Sequence, residues 1–195
     1  MITRIEIDGF KTFQNFSLDL VPFQVIIGPN GCGKSNLFDA MRLLSKLAKM
    51  DLNAAFRELR GDPLEQFTLQ PNGTIESKMR FAVELLVDRT ITDDWGEEVT
   101  PVGSRLRYEL EIINDFTAGA GQELSIAHES LRAIPSQTDS WLTHAAPQIA
   151  GRWLSADDQP EEDPAEFIGT SGLHDGRSSS YSSFGHFQGA NRNYC

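Results

Sequence analysis

The chain has 195 residues, of which 39% are hydrophobic and 23% charged, and its formal net charge at pH 7 is −11. This length suits one domain or little more, and it can bury roughly 70% of the unfolded surface. No run approaches the ~18 apolar residues of a membrane span, and the two cysteines give no disulfide framework. Composition therefore predicts no membrane partner and favours the reducing cytoplasm.

The negative charge is concentrated after residue 60. Residues 1–60 carry eight Lys or Arg and six Asp or Glu, whereas residues 61–195 carry nine and twenty-two. Because nucleic-acid phosphates repel an acidic surface, this distribution argues against broad non-specific DNA binding by the later part. It leaves room for a basic groove within the first sixty residues.

Three strands are predicted before residue 28. Residues 3–8 and 16–20 alternate apolar and polar side chains, which is typical of half-buried strands. Residues 23–27 form a short β-branched apolar run, which predicts a buried parallel strand.

Two helices are predicted next. Apolar residues recur at helical spacing over residues 34–49, and Asp39 is predicted to lie off that apolar stripe. A shorter helix is predicted over residues 54–59. Residues 1–60 are therefore interpreted as a nucleotide-binding lobe.

The segment between the third strand and the first helix carries the chemistry. Residues 28–35 read G-x-x-x-x-G-K-S, which is the phosphate-binding loop, or Walker A motif. Its glycines let backbone N–H groups turn toward phosphate oxygens, and the following helix adds the positive end of its dipole. We expect Lys34 to reach the β- and γ-phosphates and the Ser35 hydroxyl to bind Mg²⁺. The predicted nucleotide-binding residues are Gly28, Pro29, Asn30, Gly31, Cys32, Gly33, Lys34, Ser35 and Asn36.

After residue 60 the apolar period changes to two. Residues 79–87 and 105–112 alternate, which predicts an antiparallel hairpin with one wet face, and residues 123–134 predict a third strand. Trp141 and Trp153 are interpreted as anchors of a small helical segment. These features predict an antiparallel β arm over residues 61–155. The remaining residues, 156–195, are interpreted as an acidic linker and a disordered low-complexity tail.

Residues 5–13, with the sequence Ile-Glu-Ile-Asp-Gly-Phe-Lys-Thr-Phe, and the apolar run with its phosphate loop at 25–40 resemble the start of ABC-class ATPase heads. Among these heads, SMC, RecF and OLD-type bacterial AAA ATPases are the most similar. The resemblance implies an α/β P-loop NTPase lobe with an antiparallel arm, binding ATP and Mg²⁺, in which two heads sandwich ATP as a homodimer. It also implies DNA as a partner, and DNA repair, genome maintenance or phage defence as the setting.

Several parts of that family pattern are missing, so no catalytic residue is assignable. The resemblance implies an apolar strand ending in Asp-Glu, a Leu-Ser-x-Gly signature, a late His and a glutamine for the attacking water. Gln66 and Gln70 follow the helix but lie in no firm motif. Asp88 ends an apolar run, yet Arg89 follows where Glu belongs, and residues 169–172 predict a glycine turn rather than a signature.

These departures leave three interpretations open. A truncated or frame-shifted copy of a complete ATPase explains an incomplete core sheet. A nucleotide-binding remnant would bind ATP without hydrolysing it. A P-loop kinase acting on a small molecule would need parallel βα units after residue 60, where the sequence instead predicts antiparallel strands.

Overall fold

The computed structural model describes residues 1–88, 90–92, 96–101, 103–117, 121–144 and 166–171. Three helices, eight strands and a short 3₁₀ helix lie within these ranges. In chain order they are β1 (Ile2–Asp8), β2 (Phe16–Asp19), α1 (Lys34–Leu47), α2 (Leu52–Arg57), the 3₁₀ helix (Pro63–Gln66), β3 (Lys78–Leu86), β4 (Ile91–Thr92), β5 (Glu98–Val99), β6 (Arg105–Thr117), β7 (Gly121–Ala133), α3 (Ser140–His144) and β8 (Glu166–Ser171).

One antiparallel sheet organises these elements. Its strand order is β2-β1-β3-β6-β7-β8, and every neighbouring pair is antiparallel. The pairing of β3 with β6 confirms the predicted hairpin, and β7 confirms the predicted third strand. The connection between β3 and β6 adds a separate ribbon of β4 and β5. Strands from both sides of residue 60 share the sheet, and the domain limits at residues 60 and 155 stay a proposal.

The inner face of the sheet and helix α1 share one hydrophobic core. Ile5 and Ile7 of β1 are at most 1% exposed, as the period-two pattern predicts. They belong to the same buried cluster as the apolar stripe of α1. Each large apolar side chain in such a core stabilises the fold by about 1.5–3 kcal/mol. The stripe consists of Leu37, Ala40, Leu43 and Leu47.

The prediction of a buried parallel strand over residues 23–27 is wrong for this structure. These residues form no strand, and Phe23, Val25 and Ile27 are 83%, 62% and 86% exposed. A parallel strand is buried only where neighbours cover both faces, and among the described residues no strand pairs with this run. Only Ile26 packs against the core. The segment that leads into the phosphate loop therefore carries an uncovered apolar surface.

Helix α3 is fixed to the end of the sheet by a buried polar cluster. The Arg105 guanidinium donates hydrogen bonds to both oxygens of Asp139 and packs against the ring of Trp141. The indole Nε1 of Trp141 donates to the carbonyl oxygen of Leu20 at 2.7 Å. Trp141 thus anchors a helical segment, as predicted. The other predicted anchor, Trp153, lies outside the described residues.

The predicted glycine turn over residues 169–172 is wrong for residues 169–171, the part of it that the structure describes. Residues 169–171 belong to β8, in which Gly169 is the register partner of Ser130 and Ser171 that of His128. On the side of β7 that faces away from β6, backbone N–H and C=O groups need partners. The strand β8 supplies these partners even though it contains Gly169. The acidic segment 157–164 and the tail from residue 172 lie outside the described residues.

Candidate nucleotide-binding site

The phosphate loop is an exposed turn that ends at the first residue of α1. Gly31 and Gly33 have φ of 84° and 94°, a left-handed conformation that glycine adopts without strain. Gly33 is the N-cap of α1, and no side chain caps the helix there. The first turn of α1 also contains no acidic residue. A helix start without a side-chain cap leaves backbone N–H donors for an anion.

The ammonium group of Lys34 folds back over its own loop. Its Nζ donates to the carbonyl oxygens of Gly28 and Pro29, both at 2.7 Å, and lies 3.6 Å from Sγ of Cys32. The structure therefore places the carbonyl oxygens of Gly28 and Pro29, at the start of the motif, against the ammonium group of Lys34 near its end. An ammonium bonded to neutral carbonyls can exchange them for phosphate oxygens, which form stronger charge-assisted hydrogen bonds.

The turn between β1 and β2 lies beside the loop, which sequence reasoning did not foresee. Nδ2 of Asn36, in the first turn of α1, donates to Oγ1 of Thr12 at 2.9 Å. A Cβ placed on Gly33 would lie 3.5 Å from that same oxygen. The Gly-Phe-Lys-Thr-Phe segment that carries the family resemblance is thus a physical neighbour of the phosphate loop.

A buried carboxylate holds this turn against α1. Asp39 is 6% exposed, contrary to its predicted position off the buried stripe. Its Oδ2 accepts from Lys11 Nζ at 2.7 Å and from Arg60 Nη2 at 2.8 Å. Burial alone would raise the pKa of the Asp39 carboxyl, but hydrogen bonds from Lys11 and Arg60 outweigh burial and hold the pKa below its ordinary value. Two cations distant in sequence compensate the buried charge.

Residues 1–146 match the family model described as an AAA ATPase domain. The chain belongs to this family. The match covers both the phosphate loop and the antiparallel arm, and it confirms the predicted P-loop fold class with a partial sheet. Within this AAA ATPase domain, the resemblance to SMC-type heads is confirmed as well.

Two curated relatives illustrate that likeness, and one solved structure is also similar in part. The chain is 34% identical over 91 residues to the chromosome partition protein Smc of Bordetella petrii, covering 46% of this chain and 7% of that protein. It is 40% identical over 100 residues to the Smc of Synechococcus sp., covering 50% and 8%. A structure from work on ATP-driven dimerization and DNA-stimulated activation of SMC ATPases aligns with TM-score 0.41 and 20% identity, covering 64% of this chain and 67% of that one. The chain thus spans less than a tenth of the length of these two Smc proteins.

Each of the two candidate glutamines, Gln66 and Gln70, makes a local hydrogen bond in the structure. Gln66 is fully buried, and its Nε2 donates to the carbonyl oxygens of Arg60 and Asp62, which fixes the turn at the 3₁₀ helix. The Gln70 amide bonds to the carboxylate of Glu76. Asp88 is exposed just after β3, as its place in the alternating run predicts.

The described residues lack two further features. No group of three or more His, Cys, Asp and Glu side chains there could hold a metal ion. In the same part of the chain, no helix combines the length and the hydropathy that a membrane crossing requires.

Proposed function

We propose that this AAA ATPase domain binds ATP with Mg²⁺ through residues 28–36. The observation that carries the proposal is the geometry of the loop: a G-x-x-x-x-G-K-S turn that ends on a helix start without a side-chain cap. The described residues fit the ligand. The loop and the first turn of α1 carry backbone N–H groups and the Lys34 ammonium, which suit phosphate oxygens, and the Ser35 hydroxyl, which suits Mg²⁺.

The glycines, Lys34 and Ser35 have separate roles in this proposal. The glycines and the first turn of α1 supply backbone donors to the phosphates, and Lys34 exchanges its bonds to Gly28 and Pro29 for bonds to the β- and γ-phosphates. Ser35 is exposed at the second position of α1, where its hydroxyl is available to Mg²⁺. Mg²⁺ normally keeps several waters and takes its other ligands from phosphate. Ser35 therefore supplies one protein ligand beside the phosphate oxygens and the waters.

Hydrolysis needs groups that the described residues do not supply. The uncovered run at residues 23–27 and the missing Asp-Glu strand both fit a lobe that functions together with further sequence, whether in the same chain or in another. We propose that the chain alone binds ATP and turns it over negligibly. A dimer of heads, a DNA partner and a cytoplasmic setting in genome maintenance, DNA repair or phage defence follow from the family resemblance. The antiparallel order of β3, β6 and β7 favours an ATPase head over a small-molecule kinase.

The test is a titration of the purified chain with a fluorescent ATP analogue and Mg²⁺. Lys34→Ala is expected to reduce binding below detection, because it removes the single charge placed over the loop. The control is Lys49→Ala, which removes an exposed lysine beyond the end of α1. Equal affinity in wild type and Lys34→Ala would refute the site. Steady phosphate release that depends on Lys34 would refute the proposal of negligible turnover.

A further inference from the structure

The side chain of Asn36 occupies a position from which it could block the helix start. Gly33 is the N-cap of α1, so Asn36 is the third helical residue. In a capping box, a Glu or Gln side chain at this third position reaches back and accepts the backbone N–H of the N-cap residue. Asn36 carries the same carboxamide acceptor as Gln on a side chain that is one methylene shorter. An Asn36 carboxamide in that orientation would consume one of the donors that a phosphate needs.

In the structure this carboxamide is bonded elsewhere. Its Nδ2 donates to Oγ1 of Thr12 at 2.9 Å, and Gly33 receives no side-chain cap. Thr12 is exposed, and its oxygen lies on the side of Gly33 where a Cβ would stand. The Thr12 hydroxyl therefore diverts Asn36 at the point where α1 meets the phosphate loop.

Thr12 is held in place by contacts that do not involve the loop. The N–H of Phe13 donates to the carbonyl oxygen of Phe10 at 2.9 Å, and that of Lys11 to the carbonyl oxygen of Gln66 at 2.8 Å. The ammonium of Lys11 is paired with the buried Asp39. The turn is thus anchored to β1, to α1 and to the segment before β3, so it can fix Asn36 rather than follow it.

We infer that Thr12 is a positioning residue for the phosphate loop: by holding the Asn36 carboxamide, it keeps the backbone donors at the start of α1 available to phosphate. The inference rests on the proposed function and deepens it. Without the Thr12 hydroxyl, Asn36 caps its own helix and competes with the nucleotide. The cost of that competition is one net hydrogen bond, which corresponds to a loss of about threefold to tenfold in affinity.

The experiment measures the Kd for Mg²⁺–ATP in wild type, Thr12→Val, Thr12→Ser, Asn36→Ala and the double variant Thr12→Val/Asn36→Ala. Thr12→Val is expected to weaken binding about threefold to tenfold in the wild-type background and less than about twofold in the Asn36→Ala background. Thr12→Ser keeps the hydroxyl and is expected to restore wild-type affinity. Equal losses in both backgrounds, or no loss in the wild-type background, would overturn the inference.

A second measurement needs no nucleotide. Amide hydrogen exchange at Gly33 is expected to slow in Thr12→Val, since the freed Asn36 then accepts that N–H, and to return to the wild-type rate in the double variant. Unchanged exchange would contradict the mechanism. The matched control is Thr74→Val, because the Thr74 hydroxyl donates to Oδ1 of Asn72 at 2.7 Å in an exposed turn. Thr74→Val measures how much affinity and exchange change when a comparable threonine–asparagine hydrogen bond is removed elsewhere in the chain.

The same titration separates the two proposals. If Lys34→Ala abolishes binding but Thr12→Val acts equally in both backgrounds, the proposed function stands and the role of Thr12 falls. If wild type binds no nucleotide, or binds it independently of Lys34, both fall.

Discussion

The guanidinium carbon of Arg105 lies 5.0 Å from the centre of the Trp141 ring, and neither residue is more than 3% exposed. A cation over an aromatic face in a desolvated site contributes as much as about 2 kcal/mol. The pair connects the start of β6 with α3. Through the indole N–H bonded to Leu20, it also reaches the end of β2, from which the chain runs toward the phosphate loop.

Removal of Trp141 is expected to destabilise the fold strongly. Trp141→Ala should cost about 3–5 kcal/mol of unfolding free energy in urea titrations, because it leaves a cavity and frees both Arg105 and the Leu20 carbonyl. Trp141→Phe keeps one six-membered aromatic ring but loses the N–H and part of the packed volume, so it should cost less than Trp141→Ala. Equal costs for the two variants would show that packing contributes little there.

Arg105 and Asp139 should prove strongly coupled. Arg105→Met removes the guanidinium that donates two hydrogen bonds to the buried carboxylate of Asp139 and is expected to cost about 3–5 kcal/mol. Asp139→Asn disrupts the same ion pair, so the double variant should lose less than the sum of the single losses. Additive losses in the thermodynamic cycle would argue against the ion pair.

Asp39→Asn is expected to lower stability by about 1–3 kcal/mol. The substitution removes the charge that compensates Lys11, whose side chain is largely buried and is costly to leave unpaired, whereas the Arg60 side chain is 70% exposed. Glu58→Gln is the control, since it disrupts the exposed pair with Lys46 and should cost at most about 1 kcal/mol. Comparable losses for the two variants would show that Asp39 contributes no more to stability than the exposed pair of Glu58 and Lys46 does.

The outer face of the sheet should make the protein sensitive to acid. The hydrogen bond from Arg107 is the main cause that lowers the pKa of the Glu6 carboxyl below its ordinary value of 4.5. A lowered folded-state pKa contributes stability above the unfolded value and loses it as the pH falls through the folded value. Stability should therefore decline below about pH 4.5, and Glu6→Gln should flatten that decline.

The size of the acid effect will be small, because both side chains are partly exposed. Arg107→Gln removes the partner and should flatten the acid limb in the same way. Denaturant titrations between pH 3 and pH 7 provide the measurement. A steep decline that survives both substitutions would place the acid sensitivity in other carboxylates.

The apolar run at residues 23–27 should cause self-association of the isolated chain. Phe23, Val25 and Ile27 place a contiguous apolar surface in water, which favours contact with other molecules. Val25→Lys is expected to reduce concentration-dependent sedimentation without lowering the melting temperature. Ser45→Lys, at an exposed position on α1, adds the same charge without removing an apolar side chain. Equal effects of both variants would assign the change to charge alone.

The sequence predicted most of the sheet because alternation reports which strand face is buried. Ile5 and Ile7 of β1 and the apolar residues of β6 follow this rule. The alternation of β3 holds only in part, because Ala82 and Leu86, predicted to lie on the wet face, are 8% and 6% exposed. The same reasoning failed for residues 23–27, since composition shows that a run could be buried but not whether neighbours cover it. Asp39 escaped detection because its partners, Lys11 and Arg60, lie 28 and 21 residues away. The motif located the phosphate loop, but only the fold places Thr12 beside it.

The pairing of β1 with β3 has a consequence for synthesis of the chain. Ile2 is the register partner of Leu85 and Asp8 that of Arg80, so the phosphate loop and α1 lie inside the segment that this pairing closes. Contacts so distant in sequence form late and slowly, since the intervening chain must first be ordered. A nascent chain on the ribosome has made the entire nucleotide motif well before it has made the strand that holds β1. Until β3 emerges, β2 is the only described strand that can pair with β1, and the other edge of β1 is open to contact with other chains.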